Sequence, residues 1–285
     1  MQRIYPLLFV FLWSTGFIGA KYGLPHAGPL SFLFVRYVAV IALMTLIALL
    51  TRAPWPKEAR QWLHIGVSGL LVHAVYLGGV FIAIKHGLPA GVTALVVGMQ
   101  PLLTALGAGW LLGERVVGRQ WLGLALGFVG VGLVVSGKFG EAAALGPMLV
   151  PALGALLGIT CGTLYQKRFC ARFDLRTGSV IQFVPTALVT LPAILLFEGF
   201  HVEWTGDFIF ALTWLVLVLS IGAISLLNLL IRSGSAVNVA SLFYLTPLST
   251  ALIAYAMFDE KLGWLAICGM GLAVSGVYLV GRPAK

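Results

Sequence analysis

"TALVVGMQPLLTALGAGWLLGE", residues Thr93 to Glu114, is the stretch on which the fold turns. It is apolar over about the 20 residues that a helix needs to cross a hydrocarbon core, yet Gln100 and Pro101 stand at its centre. Proline removes a backbone donor and opens the hydrogen-bond ladder four residues back, near Val97, freeing a carbonyl that hydrocarbon does not tolerate. Such a break belongs inside a bundle of membrane helices, facing protein or a watery cavity.

The rest of the chain agrees. Of 285 residues, 60% are hydrophobic and 9% charged, and the mean hydropathy is +1.02, whereas soluble domains carry about 25% charged residues. Ten apolar runs have spanning length: Ile4–Ala20, Leu30–Leu50, Trp62–Ile84, Ala90–Leu112, Arg119–Ser136, Pro147–Gln166, Thr177–Phe197, Asp207–Ile231, Ala236–Phe258 and Gly263–Val280. The expected fold is an all-α membrane protein of ten transmembrane helices. The first run has the look of a signal peptide, but nine further spans and the lack of a sizeable soluble segment favour a retained helix.

Eighteen Lys and Arg stand against nine Asp and Glu. They fall between the apolar runs and form no concentrated patch, so the lipid bilayer accounts for them and no nucleic-acid partner is expected. With the N-terminus inside, thirteen lie on the inner side: Arg3, Arg52, Lys57, Arg60, Arg115, Arg119, Lys167, Arg168, Arg172, Arg176, Arg232, Arg282 and Lys285. Lys21, Lys85, Lys138 and Lys261 lie outside, and Arg36 falls within the second run. This excess predicts cytoplasmic N- and C-termini. Cys161, Cys170 and Cys268 show no paired spacing, so no disulfide framework, metal site or cofactor is expected.

The opening feature recurs in "SLFYLTPLSTALIAYAMFDEK", Ser241 to Lys261. Pro101 matches Pro247 and Glu114-Arg115 matches Glu260-Lys261, both 146 residues apart, and residues 90–134 agree with 236–280 at 15 of 45 positions without a gap. Gly123/Gly269, Gly130/Gly276, Gly16/Gly162 and Lys21/Lys167 fall on the same offset. The chain therefore reads as two five-helix repeats, 1–139 and 147–285, and an odd number of spans makes the second enter from the opposite side of the membrane. Inverted repeats around a midplane site are a common architecture of secondary transporters.

With these motifs, including "FLWSTGFIGAKYG" in the first span and "GERVVGRQWLGLALGFVGVGLVV" and "DEKLGWLAICGMGLAVSGVYLV" after the two broken spans, the whole chain resembles the drug/metabolite transporter superfamily. The match is to bacterial proteins with paired five-helix domains. The resemblance implies ten helices around a central cavity, with the fifth and tenth peripheral, and export of amino acids and related metabolites or exchange of sugar-linked nucleotides.

Polar side chains inside the spans are candidates for function because hydrocarbon makes them costly unless paired. Arg36 lies about two turns into the second run, too deep for easy snorkelling, and its counterpart in the repeat is Gln182. Structural pairing to helix-end carbonyls is its bland reading. Gly66, Gly69, His73 and Tyr76 follow one another at steps of three or four, so one helical face is expected to carry them. His73 would accept a proton or hydrogen-bond a substrate, although a buried histidine is more often a packing residue. Trp13 and Ser14 lie midway along the first run, and Tyr244 stands one turn before Pro247. Ser225, Asn228 and Arg232 share a face near the inner end of the eighth run, as part of a gate or as an inner-surface snorkel.

All nine carboxylates, Glu58, Glu114, Glu141, Asp174, Glu198, Glu203, Asp207, Asp259 and Glu260, fall in loops or at helix ends. Exporters of lipophilic cations in the related small multidrug branch rely on an embedded carboxylate, which this chain lacks. The reading is a multi-pass protein of the bacterial inner membrane that exports small amino-acid-like or organic-acid metabolites by alternating access. Arg36 would bind the carboxylate; His73, Tyr76, Gln100 and Ser14 would surround it with polar contacts; Trp13 and Tyr244 would form apolar walls; Pro101, Pro247 and Asn228 would serve as hinge and gate. The alternatives are efflux of neutral or cationic toxic compounds or nucleobases with a structural Arg36, and a non-transporting scaffold. A homodimer or partner contact through Gly123-x-x-x-Gly127 is also open. Nothing in the sequence forms a catalytic constellation, so an enzyme is not expected.

Overall fold

The structure is a computed structural model describing residues 4–88, 90–135, 147, 149–170, 172–258 and 263–282. Arg3, Ser136, Lys138, Glu141, Asp259, Glu260, Lys261 and Lys285 lie outside the described residues, as does the side chain of Lys21. The chain is built of helices, and the extended backbone contact among the described residues is a bridge between Ala27 and Val202.

In chain order the helices are α1, Tyr5–Gly23; α2, Pro29–Leu50; α3, Ala59–Lys85; α4, in two pieces, Ala90–Val97 and Gln100–Leu112; and α5, Gly118–Val135. They are followed by α6, Leu149–Phe169; α7, Leu175–Phe197; α8, Gly206–Ser233; α9, in two pieces, Ala236–Ser241 and Leu245–Phe258, joined by a 3-10 turn; and α10, Trp264–Gly281. Among the described residues eight helices are long and apolar enough to cross a membrane, and Tyr5–Gly16 and Gly118–Val134 are shorter apolar stretches. The helices fall where the apolar runs predict, within a few residues at each end.

Two features repeat that periodicity does not reveal. In α3 the backbone widens to a π-helix over Leu70–Leu77, and α8 does the same over Leu215–Ala223, at equivalent positions of the two sequence repeats. These segments are crossed by the first helix of the other half. Gly16 of α1 meets Leu219, where an added methyl would lie 3.1 Å from its Cδ1, and Gly162 of α6 meets Val72, where it would lie 2.6 Å from Cγ2. The breaks also correspond. Pro101 sits in the first turn of the second piece of α4, after an interruption at residues 98 and 99, and Pro247 in the first turn of the second piece of α9.

α5 and α10 pack through their glycines. A methyl on Gly130 would lie 2.5 Å from the Gly269 carbonyl oxygen, and one on Gly123 would lie 2.6 Å from that of Gly276. The contacts run crosswise and antiparallel between equivalent positions, which is the pattern a twofold axis imposes on a duplicated helix. Gly127 is covered by the Tyr244 ring. The small-residue face considered for a partner is thus occupied within the chain itself.

Candidate functional site

Among the described residues a series of cavities follows one after another. The first is lined by Trp13, Gly16, Ala20, Arg36, Val72 and Tyr76, with Leu77, Val80, Phe81, Leu215, Leu219 and Ile224 completing an apolar wall. Its volume is about 40 Å³. The second, about 20 Å³, lies between Trp13, Tyr76, Phe243, Ala94, Val97, Gly98, Thr246 and Pro247. The third, about 10 Å³, is bounded by Phe243, Gln100, Thr163, Lys167, Ile231, Ala236, Val239 and Ala240. Trp13 and Tyr76 therefore form the partition between the first two, with rings stacked at 6.3 Å and 11°. Phe243 stands between the second and third and meets Trp13 edge-on at 5.3 Å.

Arg36 is the charged group of the first cavity and is 4% exposed. The packing of α2 against α7 and the α8 π-segment fixes it. Its Nε donates to Ser220 Oγ at 2.9 Å, a neutral partner, and no described carboxylate lies within ion-pairing distance of it. Three of the described carboxylates are committed elsewhere. Glu198 accepts from Leu30 N and Ser31 N at 2.8 Å each and from Ser31 Oγ at 2.6 Å, capping α2. Glu114 accepts from Ala236 N at 3.0 Å, capping α9. Asp174 holds Arg176 at 2.6 Å, and that guanidinium keeps the Asp174 carboxyl below the ordinary carboxylate range.

The expected site residues divide among these spaces. Trp13, Arg36 and Tyr76 meet at the first cavity. His73 does not line it. Its ring stacks on Phe183 of α7 at 4.1 Å, neither ring nitrogen has a hydrogen-bond partner, and its carbonyl accepts from Tyr37 Oη at 2.7 Å. The spacing rule that put His73 and Tyr76 on one face assumes an α-helix, whereas both lie in the π-segment, whose wider turn separates them. Gly69, on the His73 side, packs against the Gln182 backbone.

Gln100 lies at the third cavity, with Nε2 donating to Thr163 Oγ1 at 3.4 Å and Oε1 unpartnered. Ser14 crosslinks α1 to the α9 break, donating to Val10 O at 2.7 Å and to Thr246 O at 3.2 Å. Tyr244 turns away from the cavities to α5, because the 3-10 turn at Leu242–Tyr244 shifts the register. Its neighbour Phe243 forms the wall instead. Pro101 is buried at the α4 break, and Pro247 faces Val97 and Gly98 across the second cavity, so the two breaks confront each other.

A polar chain runs behind the cavities. Asn228 Oδ1 accepts from Gln166 Nε2 at 2.7 Å, Gln182 Nε2 donates to Gln166 Oε1 at 3.5 Å and to Ser68 Oγ at 3.1 Å, and Gln182 Oε1 and Asn228 Nδ2 are left unpartnered. Gln182 takes a serine of α3 as its repeat counterpart Arg36 takes a serine of α8. Sequence reasoning missed Phe243, Ser220 and the Gln182–Ser68 link; intramembrane amides and hydroxyls were the available signal for the last two. Toward the α6 and α8 ends, Lys167 Nζ donates to the carbonyls of Ile231 at 2.7 Å and Gly234 at 2.5 Å.

Apolar helices in two matching sets, enclosing a series of cavities with a buried cation, define a multi-pass membrane transporter. The chain belongs to the EamA-like transporter family, whose model matches residues 3–136 and again 146–282. It is 30% identical over 284 residues to the uncharacterized transporter YvbV of Bacillus subtilis, covering 97% of this chain and 90% of that protein. To the probable amino-acid metabolite efflux pump of Escherichia coli it is 28% identical over 285 residues, covering 96% and 92%. A solved protein crystal structure shares the fold with a TM-score of 0.79 at 22% identity, covering 98% of this chain and 95% of the other.

Proposed function

We propose that this chain is a ten-span inner-membrane exporter of small carboxylated metabolites, with two inverted five-helix repeats and cytoplasmic termini. The observation that carries this reading is Arg36, buried at a cavity and hydrogen-bonded to a neutral serine. A guanidinium in that setting suits a carboxylate, which would supply an opposite charge and paired acceptors. The description of the Escherichia coli relative as a probable amino-acid metabolite efflux pump agrees with this class of solute.

The route runs from Lys167 and Gln100 in the third cavity, past Phe243, through the second cavity, past the Trp13–Tyr76 pair, to Arg36. The crosswise glycine contacts of α5 with α10 support the inverted relation of the repeats. The facing breaks at Pro101 and Pro247 are placed to flex as hinges at the second cavity, between the aromatic partitions. His73 stacks on Phe183 behind the first cavity and packs there rather than meeting the solute.

Proteoliposomes of wild type and Arg36→Met, tested with carboxylated, neutral and cationic solutes, provide the test. Carboxylated solutes should move in the wild type and fall at least tenfold in the variant. Equal rates in the two proteins, or a preference for cations, would overturn the assignment.

A further inference from the structure

We infer that the transported species is an apolar monocarboxylate without an ammonium group, and that it crosses alone as an anion. This rests on the reading of Arg36 as the carboxylate site and specifies what else the site accepts. Among the described residues that line the first cavity Arg36 is the one charged group, and the others are neutral: two aromatic rings beside it, Trp13 and Tyr76, and an otherwise aliphatic and small-residue surface completed by Phe81.

A monocarboxylate brings the cavity to neutrality. A zwitterionic amino acid leaves a net positive charge in a low-dielectric space, with its ammonium close to the guanidinium and no carboxylate to receive it; a dianion leaves a net negative charge. None of the described acids lines the cavity: Glu198 caps α2, Glu114 caps α9, Asp174 holds Arg176, Glu203 lies beside His26 and His201, and Glu58 and Asp207 stand at the N-terminal ends of α3 and α8. The apolar wall formed by Val72, Val80, Leu215, Leu219 and Phe81 favours an apolar body on the carboxylate, and a body larger than this cavity enters when the Trp13–Tyr76 partition opens to the second one.

Charge accounting gives the energy source. No carboxylate lies inside the apolar runs, away from their ends, to carry a compensating proton, and His73 is packed against Phe183 away from the cavity. Each cycle therefore moves one negative charge outward. An interior-negative membrane potential drives that movement without a coupling ion.

The test uses the purified full chain in liposomes loaded with labelled 3-phenylpropanoate, L-phenylalanine or phenethylamine, which share one ring and chain and differ in charge. A potassium gradient with valinomycin sets the interior potential, and protein-free liposomes give the leak. Efflux of 3-phenylpropanoate above the leak should exceed that of phenylalanine and of phenethylamine at least tenfold. Its steady-state gradient should shift about tenfold for each roughly 60 mV of interior-negative potential. Phenylalanine moving as fast as 3-phenylpropanoate, with both abolished in Arg36→Met, would overturn this inference while leaving the carboxylate site intact. Movement of 3-phenylpropanoate insensitive to potential would overturn the charge-carrying step. Failure of both carboxylated solutes to move, or equal movement in Arg36→Met, would overturn the underlying reading itself.

Discussion

Replacing Arg36 by Met separates a binding group from a structural one. The guanidinium is 4% exposed and its hydrogen bond to protein goes from Nε to Ser220 Oγ at 2.9 Å. Losing a hydrogen bond that involves a charged group costs about 1.5–3 kcal/mol. Removing a cationic side chain from a membrane helix recovers about 2.5–3.5 kcal/mol on insertion scales, and methionine keeps the apolar stem that packs between α2 and α8. The two terms nearly cancel, so Arg36→Met should leave the unliganded protein between unchanged and roughly 2 kcal/mol more stable. Thermal inactivation in detergent reads this directly, and Ser220→Ala in both backgrounds gives the coupling through a double-mutant cycle. Ser220→Ala should destabilise the wild type, where it strands a buried cation, and be nearly neutral in the Arg36→Met background. A loss of about 3–5 kcal/mol in Arg36→Met, the size expected for breaking a buried ion pair, would refute the reasoning and make Arg36 structural.

Three further outcomes follow from the packing and the caps. Gly276→Ala sets a methyl 2.6 Å from Gly127 N, between backbones that have to part, and should cost about 1–3 kcal/mol, whereas Gly271→Ala, with nothing within 4 Å, should be neutral or slightly stabilising; detergent melting curves compare the two. Glu198→Ala removes three hydrogen bonds from the start of α2 and should lower stability by about 2 kcal/mol, measured the same way. Asp174, its folded pKa depressed by Arg176, adds stability that is present above the unfolded carboxylate value near ~3.9 and is lost as pH falls through the lower folded value; a melting series from neutral pH down to acid should show this loss in the wild type and not in Asp174→Asn.

The helices and their duplication are legible in the sequence because both are written in composition. Apolar length marks each span, and the shared offset of Pro101 with Pro247 and of Gly130 with Gly276 marks the repeat. The break of α4 is legible for the same reason, since proline carries its own backbone constraint. The π-segments at Leu70–Leu77 and Leu215–Ala223 are not, because "LLVHAVYL" and "LVLVLSIGA" hold no proline and read as ordinary apolar helix. That is why His73 was expected beside Tyr76. The exchange of Tyr244 for Phe243 has the same origin in a local change of helical pitch. Arg36 was legible as an intramembrane charge, but its partner Ser220 lies 184 residues away, and only the packing of α2 against α8 brings them together.

The most direct test of the account is ligand-induced stabilisation, measured on the purified chain with 3-phenylpropanoate added to wild type and to Arg36→Met. With Arg36 as the carboxylate site, the wild type should show a concentration-dependent rise in melting temperature, following mass action, and the variant none. An equal rise in both proteins would contradict it, because the carboxylate would then be held somewhere other than Arg36.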